Sequence, residues 1–487
     1  MAQDVVGVVS REGVPDRRYF RTPATAPGPS GPQMLRAIRT IRSDALGFLE
    51  QMARRYGPVV QFPIPSPPTY LICDPEAVRR VLVTKARDYD KETIQYRSLS
   101  LVTGEGLLTT SGEVWRRQRR MVQPAFHHEV LEGVVAHAAR AAEELLARWG
   151  DLSRGAVIDI DEAMMRVALE TVGASLFGTD LSEDADRLAL ATIEALDVVV
   201  SRAQVPVQPP EWLPTRPTRR LRAALAQLDD AVASMVGSRQ RHDDQPRVSS
   251  LLDLLLDAAT ANPPIPASEV RDELVAFLVA GHETTASALI WVLWLLAGDA
   301  EVQHEVAREL DEVLGGRTPT YADLERLPWT RAVFDEAMRL YPPVWLVSRH
   351  AQEDDVLAGR EIPAGSLVIM TPYIVQRDPE VWEDPTAFRP QRFLDGHRRG
   401  ASGDAVFWPF GLGPRMCIGR DFAYVEGMTV LSVILRQVTV SRVPGVTPRP
   451  AALVTLRPAD ALPLVVHPRS PYRGGRQRPA MNDHTGK

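Results

Sequence analysis

Cysteine is almost missing from this 487-residue chain, which has only Cys73 and Cys417. Two thiols exclude a disulfide framework and fit a reducing compartment. Lysine is also scarce: Lys85, Lys91 and Lys487 are the only lysines, so the positive charge is nearly all arginine. The formal net charge of -6 leaves no basic excess, and with it no reason to expect nucleic acid. The opening stretch MAQDVVGVVSREGVPDRRYF has no sustained apolar run, so neither a secretory signal nor a membrane span is read there. A cytoplasmic, monomeric protein is the expectation. No internal repeat is present.

What the chain does contain is ordinary for a globular protein, 45% apolar and 24% charged. Residues 1–30 read as an irregular Pro/Gly/Arg-rich arm, 31–468 as one domain, and 469–487 as a disordered polar tail. Apolar residues recur every three or four positions in LEGVVAHAARAAEELLARWG and LRAALAQLDDAVASMVGSRQR, which predicts helices. Strand signals are short: PVVQFPI, TYLICD, SLVIMTPY and ALPLVVHP. The fold class is therefore mainly α with small β-sheets. The proline-rich SRAQVPVQPPEWLPTRPT joins two helices, and its Trp212 and Leu213 are candidates for the border of a ligand entrance.

The run EVRDELVAFLVAGHETTASALIWVLWLLAG is the longest apolar helix signal, with Ser268 as its N-cap and Gly298 as its terminator. Glu269, Arg271, Asp272, Glu273, His282 and Glu283 interrupt it, so it reads as a core helix rather than a span. In its middle stands AGHETT, where an acid and a hydroxyl adjoin in apolar surroundings. A mid-helix threonine can bond the i−4 carbonyl, open the helix locally and hold water for proton relay. The bland alternatives are an N-cap or a solvated face. HETTA lacks the second histidine of a zinc protease, since position 286 is Ala.

Cys417 lies in FWPFGLGPRMCIGRDFA, framed by glycines and followed by a helix signal. Glycine allows close backbone approach, and a helix N-terminus favours a thiolate. A lone cysteine is more commonly inert and buried, which is the reading for Cys73. The glycine frame favours a metal-ligating thiolate at Cys417. GLGPRMCIG is not a dinucleotide loop, because Met416 replaces the third glycine and no βαβ unit surrounds it. In EAMR, Glu336 and Arg339 share one helix face, by default as an exposed ion pair. In WRRQRR, Trp115 and Arg119 share a face on which an indole N–H and a guanidinium can meet one anion; the default is a solvated basic face.

FGLGPRMCIG, AGHETT, EAMR, RPQRF and WRRQR, in their order and spacing, resemble the signatures of the cytochrome P450 family from about Arg42 to His467. The resemblance implies a long central helix over a buried haem b, with Cys417 as the axial iron ligand. It places Phe410 and Gly419 beside the sulfur, and Trp115, Arg119, Arg349 and Arg415 on the haem propionates. Glu283 and Thr284 match the family's acid–alcohol pair for proton delivery. Glu336, Arg339 and Arg392 match a buried charge triad, while Gln391 and Gln376 depart from the usual Glu and His. The pocket would be walled by the loop from Tyr96 through Leu107 to Leu108, by Ala276 and Ala280, and by Val344, Trp345 and Leu346.

The implied activity is that of an oxidoreductase, a monooxygenase inserting one oxygen of O2 into a hydrophobic molecule in secondary or lipid metabolism, natural-product biosynthesis included. Hydroxylation and epoxidation, and fatty acid, terpenoid and polyketide substrates, all stay open. The chain stops soon after the haem region, so NAD(P)H-derived electrons are expected from a separate ferredoxin and ferredoxin reductase. Arg116, Arg117, Arg120 and Arg420 are candidates for a docking face. The rivals are a haem-thiolate peroxygenase or isomerase, and a non-catalytic haem-binding sensor.

Overall fold

The computed structural model describes residues 24–63, 68–150, 155–181, 185–203, 215–241, 250–394 and 404–469. Trp212 and Leu213, and all but Arg469 of the tail, lie outside these residues. The described part of the arm, 24–30, is irregular, and a helix begins at Gly31.

The organising element is the central helix Ala267–Leu296. By length and composition it could cross a membrane, but it is wrapped by protein: Leu274, Leu278, Leu289, Ile290 and Trp291 are fully buried. A helix apolar on all sides belongs in the middle of a large core. It packs on helices Ile94–Thr103, Ile160–Leu176, Pro328–Leu340 and Arg420–Gln437. The two helices expected from periodicity form as His128–Trp149 and Arg216–Arg241.

The ends of the central helix differ from the expectation. Pro266, not Ser268, is the N-cap, its carbonyl accepting from Glu269 and Val270 N–H at 2.9 and 3.3 Å. Proline's extended conformation ends the preceding loop, so Ser268 falls inside the first turn. The helix stops at Leu296, ahead of Gly298.

Among the described residues, four small sheets accompany this helical mass. The largest orders its strands Val59–Phe62, Thr69–Ile72, Leu367–Met370, Val347–Ala351 and Tyr89–Asp90. Only the Thr69–Ile72/Leu367–Met370 pair is parallel, with Thr69 opposite Leu367. A three-stranded sheet joins Ala156–Asp159, Pro463–Pro468 and Val438–Arg442. The four strand signals in the sequence all form strands. Those missed are two to five residues long and marked by no alternation strong enough to read.

Candidate active site

A cavity of about 1170 Å³ lies between the central helix and the Cys417 loop. Cys417 is an exposed residue and lines this cavity. The loop is tightly framed. Gly413 takes φ +67° and sits against the backbone of Arg80–Thr84, where a Cβ would come within 2.2 Å of the Leu82 carbonyl oxygen. The Cys417 N–H donates to the Phe410 carbonyl at 2.9 Å, and the Gly419 N–H donates to the sulfur. A 3-10 turn over Gly413–Arg415 precedes the cysteine, and the following helix starts at Arg420, three residues past it rather than at it. Burial raises the thiol above its ordinary value, with the Gly419 N–H and Arg119 acting against that rise. Cys73, by contrast, is a buried thiol beside a strand, pushed by burial up to about 12.

One side of the cavity is cationic. Lys91, Arg119, Arg349 and Arg415 all line it. Arg119 Nη1 donates to the Met416 carbonyl at 3.0 Å, Arg415 Nη1 to Thr110 at 2.9 Å, Arg349 Nη1 to Ser348 at 2.7 Å and Lys91 Nζ to Leu108 at 2.6 Å. Each of these acceptors is a backbone carbonyl, and among the described residues no carboxylate pairs with any of the four. Arg415 stacks 3.9 Å from the Trp115 ring centroid. Burial, then Arg349, pushes Arg415 down to about 10; burial and the three guanidiniums hold Lys91 well below its usual value. Lys91 escaped the sequence reading because it stands in no motif. Its rarity in a chain of arginines was the only signal.

The acid–alcohol pair sits in an unbroken α-helix, so the expected local opening does not occur. The back-bond does: Thr284 Oγ1 donates to the Ala280 carbonyl at 2.7 Å. Glu283 is buried and turned to one side. It accepts from Arg457 Nη1 at 3.1 Å and from Thr455 Oγ1 at 2.6 Å. Arg457 in turn holds Asp161 at 2.6 Å, whose side chain is 23% exposed. Neither Arg457 nor Asp161 was legible, because they lie 174 and 122 residues from Glu283.

Glu336 and Arg339 form no exposed pair; both are fully buried, and Arg392 joins Glu336 at 3.1 Å. All five guanidinium donors of Arg339 are used, on both Glu336 oxygens and the carbonyls of Gln376, Pro385 and Ala387. Gln376 also ties the Met338 and Arg339 carbonyls to the Trp408 N–H just ahead of the cysteine loop. Gln391 is exposed.

Tyr96, Leu107, Ala276, Ala280, Val344, Trp345 and Leu346 all line the cavity, as does Phe410. Tyr96 lies on the helix Ile94–Thr103, where the sequence suggested a loop, and its hydroxyl is 3.4 Å from Arg349 Nη1. The arginines read as a docking face are largely engaged: Arg116 with Glu113, Arg117 with Glu269 and Arg420 with Asp421.

The Cytochrome P450 family model matches residues 26–460. The chain belongs to the cytochrome P450 family. It is 34% identical to cyclooctatin synthase of Streptomyces melanosporofaciens over 84% of this chain and 89% of that one. Against cyclooctat-9-en-7-ol 5-monooxygenase of the same organism the identity is 35%, over 90% and 94%. Against pentalenene oxygenase of Streptomyces avermitilis it is 33%, over 92% and 98%. The crystal structure of CYP175A1 from Thermus thermophillus superposes with a TM-score of 0.71 at 31% identity, covering 91% of this chain and all of that one.

This P450 is thus a monooxygenase, and the family implies a haem-iron cofactor and the use of O2. Its cavity fits that cofactor. A thiol on the cavity wall, with four cations that pair with no carboxylate among the described residues, suits a metal macrocycle with two anionic arms. Among the described residues no cluster of three His, Cys, Asp or Glu could hold a bare metal ion instead.

Proposed function

We propose that this P450 oxygenates a cyclic terpene hydrocarbon or a sparsely oxygenated terpenoid. The observation carrying this reading is the apolar part of the cavity lining, to which Leu176, Leu196, Val199, Phe277, Val454 and Trp345 contribute. A hydrocarbon skeleton gains about 25 cal/mol for each Å² it buries there. The printed names of two relatives, on cyclooctat-9-en-7-ol and pentalenene, support the same class.

Cys417 is the residue to ligate the iron, with Phe410 and Gly419 flanking the sulfur. Lys91, Trp115, Arg119, Arg349 and Arg415 are the residues to hold the propionates. Bound in this way, the haem iron would activate O2 for hydroxylation or epoxidation. Thr284 stands beside Ala280 facing the cavity, where its hydroxyl can order a water molecule. Glu283 can pass protons inward, and its link through Arg457 to the partly exposed Asp161 leads towards solvent. Glu336, Arg339 and Arg392 brace the loop that carries the cysteine. Electrons come from a ferredoxin and its reductase in the cytoplasm. A spin-shift titration of the haem protein with cyclic terpenes, fatty acids and polyketide lactones tests the substrate class. A shift by fatty acids or lactones alone would overturn it.

A further inference from the structure

The turn Gly104–Leu108 forms part of the cavity wall, and it is pinned from behind by the first turns of the central helix. Arg271 Nη1 donates to the Val102 carbonyl at 3.1 Å, and the Glu105 N–H donates to Asp272 at 2.8 Å. Gly104 takes φ +58°, and a Cβ there would meet the Asp272 carboxylate at about 2.0 Å, so only glycine allows this approach. The last tie is the innermost. The Leu107 N–H donates to Glu273, with both carboxylate oxygens at 3.1 and 3.2 Å.

Glu273 differs from its neighbours in pairing with no cation among the described residues. Arg117 pairs with Glu269 at 2.8 Å, and Arg271 pairs with Asp229 at 2.8 Å and Asp272 at 3.1 Å. Glu273 is fully buried, and its bonded partner Leu107, 8% exposed, lines the cavity. Burial pushes its carboxyl up to about 7, helped by the charges of Glu269 and Asp272 and opposed by the Leu107 N–H and Arg117.

We propose that Glu273 is a positioning residue that sets Leu107 in the substrate wall, and that lifting of the Gly104–Leu108 turn is coupled to release of the Glu273 proton. The coupling follows from solvation. With the turn seated, the carboxyl is dry and keeps its proton up to about pH 7. With the turn lifted, water reaches it and the ordinary value of 4.5 returns. A group that binds its proton more tightly in the seated state favours that state at low pH. The advantage is complete below about pH 4.5, is lost as pH rises to about 7, and is flat above. A one-proton device changes the seated-to-lifted ratio by at most about tenfold per pH unit.

The inference rests on the cavity being the substrate chamber, but its test needs no substrate and so fails independently of that reading. Amide hydrogen exchange of residues 104–110 is measured on the full haem-loaded protein between pH 5 and 8.5. Rates are corrected for intrinsic exchange and referenced to Val134–Ala138 of the buried helix. Protection in the wild type should fall severalfold per unit up to about pH 7 and then level off. Glu273→Gln keeps a carbonyl acceptor but no titration, so it should be protected without a slope. Asp272→Asn should lower protection at every pH and keep the slope. A slope surviving in Glu273→Gln, or none in the wild type, would overturn the proposal.

Discussion

Glu283 and Arg457 are 174 residues apart in the chain and meet at 3.1 Å in the interior, each with a side chain about one-twentieth exposed. The acid next to Thr284 is therefore tied to a guanidinium from a distant part of the chain. Arg457→Met leaves Glu283 buried without that partner. If Glu283 passes protons inward, product formation should fall about tenfold or more, while substrate affinity changes little. Unchanged product formation would sever Glu283 from proton delivery.

Thr284→Ala removes the hydroxyl that now bonds Ala280 and would order water at the cavity edge. Product formed per NAD(P)H consumed should fall at least about tenfold, a modest share of the roughly 10²–10⁴-fold that a positioned proton-transfer group contributes. Thr284→Ser, which restores the hydroxyl, should recover most of it.

Glu336→Gln tests the brace. The carboxylate holds two guanidiniums in a fully buried site, so its loss leaves uncompensated charge and should cost about 3–5 kcal/mol. Denaturant unfolding of the haem protein would register this as a lower midpoint. Little haem-loaded protein should accumulate at 37 °C.

The triad also shows what a linear reading can reach. Glu336 and Arg339 stand three residues apart, so the helix alone brings them together, and EAMR displays the pair. Arg392 and Cys417 were legible because they carry rare local patterns. Lys91, Arg457 and Asp161 belong to no pattern; tertiary folding brings them to the site from separate strands, turns and helix starts. Glu273 was seen only as an interruption in an apolar run. Its meaning depends on Leu107, and a contact spanning 166 residues leaves no periodicity to read.

Cys417→His should abolish the strongly red-shifted Soret band of the reduced, carbon-monoxide-bound protein, because sulfur ligation is what shifts it. The same band persisting in the variant would remove Cys417 from the iron.

Lys91 gives a prediction about haem retention. Its ammonium sits among three guanidiniums with its pKa held down, and two arriving carboxylates would raise it, so binding takes up a proton. Retention should then weaken as pH rises through the lysine's bound-state pKa. Lys91→Met should lose haem to an acceptor globin faster at neutral pH and show a flatter pH dependence.

The seam where Gly413 meets the Leu82 carbonyl tolerates no added atom, whereas the far wall of the cavity is a mosaic of Leu, Val, Phe and Trp side chains. Mutations therefore fall on the two halves with unequal consequences. A change at the seam is all-or-none, since it unseats the sulfur. Leu for Val at position 199, or Phe for Leu at 196, only redraws the outline offered to a hydrocarbon. Descendants of such a sequence can change what they oxidise by single steps, each still a working oxidant, because selectivity and chemistry are inherited through different residues.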